Sequence, residues 1–126
     1  METILKTLRA LSGETRIKLI KLLQEEELCV CELEYILGLS QPAISQQVKI
    51  LKDAGIANSR REGNWVYYRI DSEDLRRAFK NIVNFLYQES GGGEAPGGLK
   101  LEWDLLEEIK AMPGDVCPRI PEENSG

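Results

Sequence analysis

The stretch "LSQPAISQQVKILKDAG", residues 39–55, decides the fold. Ser40 can cap a helix, Pro42 falls in the first turn where its missing N–H does no harm, and Gly55 supplies a C-terminal exit. The stretch therefore predicts one well-punctuated helix whose exposed face carries small polar residues. On its N-terminal side a shorter helix is expected from about Cys31 to Leu37, with Gly38 as its stop, so that Gly38-Leu39-Ser40 forms a three-residue turn between the two. On its C-terminal side the apolar period changes from 3.6 to 2. Residues 56–61 and 65–70 are expected to pair as strands around Glu62-Gly63-Asn64, with Val66, Tyr68 and Ile70 on one face and Trp65, Tyr67 and Arg69 on the other.

Further outward, Ile4, Leu5, Leu8 and Leu11 share one helical face, Ser12-Gly13 breaks it, and Ile17, Leu19, Ile20, Leu22 and Leu23 begin a second helix. After the hairpin, Asp71 or Ser72 caps a long helix whose Leu75, Ala78, Phe79, Ile82, Val83 and Leu86 form a sustained apolar stripe. Such a stripe needs a partner. "SGGGEAPGG", residues 90–98, reads as a flexible linker. Beyond it "LKLEWDLLEEIKAM" has an amphipathic pattern through Leu99, Trp103, Leu106 and Ile109, followed by a Pro-punctuated end that contains Cys117. The expected organisation is a core over residues 1–89, a linker over 90–98 and an appendage over 99–126. The fold class is mainly α with a β-hairpin wing, and no internal repeat is visible.

A chain of 126 residues can bury a real core without disulfides or a metal. It has three cysteines, an odd number, and no His. No charged-then-apolar leader precedes the first helix and no apolar run nears the length of a membrane span, so a cytoplasmic protein with reduced thiols and no membrane partner is expected. The net charge of -5 argues at first against nucleic acid. Divided by region, residues 1–89 carry 13 Lys+Arg against 13 Asp+Glu, and residues 90–126 carry 3 against 8. The acidity lies in the tail, whereas residues 40–70 hold Lys49, Lys52, Arg60, Arg61 and Arg69 against only Asp53 and Glu62. Local charge decides where a polyanion can sit.

Short helix, turn, capped helix and basic hairpin, in that order, outline a winged helix-turn-helix. The second helix would enter the major groove of double-stranded DNA. Gln41, Ser45, Gln46 and Gln47 are suited to base edges, since a Gln amide pairs with adenine N6 and N7 and a Ser hydroxyl serves several bases. Lys49, Lys52, Arg60 and Arg61 would hold phosphates or, from the wing, a minor groove. A plainer reading makes Arg60 or Arg61 a solvated strand edge that discourages aggregation, and Trp65 and Tyr67 ordinary cross-strand packing.

"LSGETRIKLIKLL" (11–23), "ELCVCEL" (27–33), "LSQPAISQQVKILKDAGI" (39–56) and "REGNWVYYRI" (61–70) resemble, in order, successive blocks of the ArsR/SmtB metalloregulatory repressors. The resemblance covers about residues 1–89. It implies a homodimer with the first and last core helices at its interface, which gives Ile4, Leu5 and Leu8 and the stripe of Leu75, Phe79, Ile82, Val83 and Leu86 their partner. It also implies binding to an approximately palindromic operator without any cofactor, and release by a metal or metalloid.

Cys29 and Cys31 stand one Val apart, a spacing at which side chains on a helix diverge. If the helix starts at or just after Cys29, the first thiol lies on non-helical backbone and the two can converge; if both lie inside it, ligation must distort the helix. A helix N-terminus favours thiolates, with Glu27 and Glu32 working somewhat against this. In the family that the chain resembles, Cys-Val-Cys here is the inducer box of arsenite sensors and of some cadmium or lead sensors. Zinc prefers four ligands, often with imidazole, and the chain has no His. As(III) is the expected inducer, with Sb(III) also possible. The departure from the pattern is the third thiol: Glu34 stands where the resemblance would place it, which leaves Cys117 as the remaining protein candidate, with water or a small thiol as the other filler of that position.

The expected function is therefore a repressor of a metalloid-resistance operon, released when As(III) or Sb(III) joins Cys29, Cys31 and Cys117. Alternatives are a Cd(II) or Pb(II) sensor of the same family, a thiol-redox repressor, and, in a different class, a metalloid buffer or chaperone. An enzyme is the weakest reading: there is no His, no phosphate-cradling glycine loop and no Cys-x-x-Cys pair.

Overall fold

The computed structural model describes residues 1–88 and 95–113. The chain divides into two compact units, Met1–Tyr87 and Gln88–Gly126. The first holds five helices and three short strands: α1 (Glu2–Leu11), α2 (Glu14–Glu25), β1 (Leu28–Cys29), α3 (Val30–Leu37), α4 (Gln41–Asp53), β2 (Asn58–Glu62), β3 (Trp65–Arg69) and α5 (Ser72–Leu86). In the second, α6 spans Lys100–Ala111 and leaves Leu101, Leu105, Leu106 and Ile109 exposed.

The core is built where the apolar faces of α2, α3 and α4 meet. Leu19 and Leu23, Leu33, and Ile44, Val48 and Leu51 are essentially excluded from solvent, with Ile56 closing the layer after α4. Burying each such side chain contributes roughly 1.5–3 kcal/mol. α4 follows its sequence signals: the Ser40 hydroxyl accepts from the Ala43 amide at 3.4 Å, Pro42 sits in the first turn, and the helix runs to Asp53. The paired α3 and α4 give the mainly helical winged helix-turn-helix that the patterning implied, with the hairpin as its wing.

Five details differ from expectation. The first wing strand starts at Asn58 rather than at residue 56, because the Ile56 and Ala57 amides donate back to the Leu51 carbonyl at the end of α4. The short helix begins at Val30, one residue earlier than Cys31. The hairpin turn is two residues rather than three, because Glu62 pairs with Trp65 and only Gly63-Asn64 lie between. Gly63 has φ +63, which a two-residue turn with glycine in first place requires. Asp71 precedes α5, but its carboxylate accepts from Arg69 Nη1 at 3.1 Å instead of capping the helix. Last, β1 was not anticipated at all. It pairs antiparallel with β3, Leu28 opposite Tyr68 and Cys29 opposite Tyr67, and extends the hairpin to a sheet of order β1-β3-β2.

α1 packs against α5, α2 and α4. Of the apolar residues expected at an interface between copies, Ile4 and Ile82 are buried in the protomer's own packing and Leu75 leans on its core. Leu5, Leu8, Phe79, Val83 and Leu86 remain exposed, Leu86 at 65%.

Candidate nucleic-acid interface and thiol site

α4 turns Ile44, Val48 and Leu51 inward, so helical periodicity points its other face to solvent. Gln41, Gln46, Lys49 and Lys52 are exposed there, and Ser45 is half-buried. Gln41 Nε2 donates to Ser45 Oγ at 3.1 Å, one turn along, which aligns two candidate base-reading groups. Lys49 is paired with Asp53 at 2.9 Å and holds that carboxyl below its usual range, while Lys52 donates to Ser59 at 2.8 Å. Exposed pairs of this kind are weak and give way readily to a phosphate.

Gln47 is placed apart from the other three polar positions. Half-buried, it accepts with Oε1 from Arg16 Nη1 at 2.6 Å. Arg16 also donates from Nε to the Ala10 carbonyl at 3.1 Å and from Nη2, at 3.0 Å, to the Arg9 carbonyl, which already accepts from the Ser12 amide and hydroxyl. One guanidinium on α2 thus links α1 and α4. Periodicity gave no hint of this residue. A Cβ at Gly13 would lie 2.7–2.8 Å from the Arg16 guanidinium, the far end of a flexible side chain.

On the wing, Arg61 is exposed, whereas Arg60 is clamped. Its Nη2 lies 2.6 Å from Glu27 Oε1, its Nη1 2.7 Å from Glu62 Oε2, and its guanidinium carbon 4.7 Å from the centre of the Tyr67 ring. These bonds push the Arg60 guanidinium above its ordinary range and hold the Glu27 carboxyl below its own. Arg60, expected as a DNA contact, is thereby committed first to two carboxylates and an aromatic face. Tyr67 takes the cross-strand packing role and Trp65 stays about half exposed.

The two thiols straddle the junction of strand and helix. Cys29 ends β1 and caps α3 with extended backbone, φ -90° and ψ 170°, and is 7% exposed. Cys31 lies in the first turn of α3 and is exposed, beside a shallow hollow lined by Leu28, Glu32, Tyr35 and Ile36. Glu32 Oε1 reaches back to accept from the Cys29 amide at 2.9 Å, and this bond holds its carboxyl below the usual range. The first thiol is therefore on non-helical backbone, as one of the two sequence alternatives had it. The buried and the exposed thiol thus flank the junction between β1 and α3. Among the described residues no group of three or more His, Cys, Asp or Glu side chains is set to hold a metal ion, and Cys117 lies outside the described residues. Among the described residues, no helix is long and apolar enough to cross a membrane.

Residues 13–59 match the family model described as bacterial regulatory protein, arsR family. The chain is 48% identical over 66 residues to the arsenic resistance transcriptional regulator ArsR1 of Pseudomonas putida, covering 52% of this chain and about half the length of that relative, 52%. It is 38% identical over 86 residues to the cadmium resistance transcriptional regulatory protein CadC homolog of Staphylococcus aureus, covering 68% of this chain and 69% of that one. Among solved structures, HlyU from Vibrio cholerae superposes with a TM-score of 0.54 at 30% identity, over 70% of this chain and 95% of that one.

Proposed function

Since the chain belongs to the arsR family of bacterial regulatory proteins, we propose that it is a DNA-binding transcriptional repressor that leaves its operator when As(III) is captured by cysteine thiolates. The observation that carries this reading is the Cys29-Val30-Cys31 junction, placed at the start of the first helix of the DNA-reading pair. Gln41, Ser45 and Gln46 read base edges, with Gln47 held as a strut, and Lys49, Lys52 and Arg61 meet phosphates. A thiophilic ion that draws Cys29 and Cys31 together must rearrange the first turn of α3, and α3 packs directly on α4. The effector then prefers the DNA-incompetent form, and operator binding weakens effector binding by the same factor.

Capture is a ligand exchange: arsenous acid loses three hydroxides as water, each with a proton from an incoming thiol, and gains three As–S bonds. Two of these go to Cys29 and Cys31, and we assign the third to Cys117, the remaining cysteine of the chain. A second copy of the chain covers the exposed Leu5, Leu8, Phe79, Val83 and Leu86, which lie at helical spacings on the packed α1 and α5. The dimer would read an approximately palindromic operator, and sedimentation at micromolar concentration checks it. The relation to a cadmium resistance regulator favours Cd(II) as the second reading of the inducer.

The test is a DNA-release titration in reducing buffer, with As(III), Sb(III), Cd(II) and Zn(II) added separately to wild type and Cys117→Ser. Release by As(III) that weakens in the variant is the expected result. Release by Cd(II) alone would replace the inducer, and an apo-protein without sequence preference at moderate salt would overturn the repressor reading.

A further inference from the structure

Cys29 belongs to the same sheet as the wing. Cys29 pairs with Tyr67 on β3, and Tyr67 pairs with Arg60 on β2, so the three residues form one row across all three strands. The row is closed back on itself: Arg60 lies over the Tyr67 ring and binds with Nε and Nη2, at 2.8 and 2.6 Å, to Glu27 Oε1, two residues before Cys29 in the chain. Glu62 holds the other end of the same guanidinium. The buried thiol and the wing are thus joined by strand pairing on one side and by an ion pair spanning 33 residues of sequence on the other.

We propose that the Glu27–Arg60 pair is a latch that carries thiol ligation to the wing, so that effector capture acts on DNA binding by a second route besides α3 and α4. This rests on the repressor reading above. Ligation that pulls Cys29 toward Cys31 removes Cys29 from its pairing with Tyr67 and draws Glu27 from Arg60, and the wing loses the position in which it meets DNA. An interaction present only in the DNA-competent state opposes the effector. Without the latch, ligation no longer unseats the wing, so the effector's affinity for the operator complex rises toward its affinity for free protein and its effect on operator affinity narrows. Glu27 and Arg60 are positioning residues here, acting through the sheet.

The test measures operator affinity of the full chain with and without saturating As(III), for wild type, Glu27→Gln, Arg60→Gln and the swap Glu27→Arg with Arg60→Glu. The readout is the ratio of loaded to apo Kd, and Glu27→Gln, which removes the latch but keeps the Arg60 charge, separates the latch from any phosphate binding by Arg60 itself. Each single variant is expected to narrow that ratio by about two- to fivefold, the range open to an exposed ion pair, and the swap to restore it. The two single changes alter charge in opposite directions, so narrowing by both excludes a simple field effect on the thiols. An unchanged ratio in the single variants, or a narrowing that the swap does not reverse, overturns the latch and leaves the repressor standing. A wild-type ratio of one overturns both.

Discussion

The two helices of the DNA-reading pair start in opposite ways. α4 begins on a Ser40 cap, with Pro42 in its first turn and the wholly buried Ile44 just behind, and continues for 13 residues. α3 is 8 residues long, begins on a cysteine rather than a hydroxyl or amide side chain, and depends at its start on Glu32 reaching back and on the two-residue pairing of β1 with β3. A helix that short has little stability of its own. The start of α4 is therefore set by residues of its own first turns and the start of α3 by interactions with distant parts of the chain, so that on the reading proposed above a ligand displaces the second without unfolding the first.

The largest effect that separates the two helix starts is chemical. Cys29→Ser puts a better capping atom at the start of α3 while removing a soft ligand. Operator affinity should stay near wild type, and the As(III) needed for release should rise by more than the roughly 100-fold that loss of an outer-shell partner costs a metal site. Loss of operator binding in this variant would break the comparison, because the sensor's start would then be part of the reader. Next comes packing. In urea unfolding, Ile44→Ala should cost about 2–5 kcal/mol and Cys31→Ala no more than about 0.5 kcal/mol. Equal costs would mean that both helix starts are equally anchored. Ser40→Ala should cost about 1 kcal/mol by the same measurement.

The smallest effect is the pH dependence of Glu32. Its carboxyl is held below the ordinary 4.5 by the Cys29 amide. A group depressed on folding stabilises the fold fully above its unfolded value and loses that contribution as pH falls through its folded value. The start of α3 should therefore weaken on acidification below about 4.5, and Glu32→Gln should flatten this part of the melting-temperature profile. A profile identical to wild type would show that the carboxylate does not support the helix.

What could be read from sequence alone follows the same division. α4 was legible because Ser40, Pro42 and Gly55 act within a few residues of the backbone they control. The wing was legible from its period, with an error of one residue in the turn, where Glu62 and Trp65 are cross-strand partners, and of two at the first strand's start, where Ile56 and Ala57 bond back to Leu51. β1 was not, since two residues carry no periodicity and its partners Tyr67 and Tyr68 lie about forty positions away. Arg16 with Gln47 and Glu27 with Arg60 escaped for the same reason, at separations of 31 and 33. The cysteines were visible at once, but the burial of Cys29 and exposure of Cys31 depend on β1.

The most direct test of a fixed reader beside a displaceable sensor is amide hydrogen exchange of the full chain with and without As(III). Protection is expected to fall at Leu28–Glu32 and at Tyr67 and Tyr68 on β3, while the amides of Ile44–Leu51 in α4 keep theirs. Protection lost throughout α4, or unchanged at Leu28–Glu32 with arsenic bound, would contradict this division of labour.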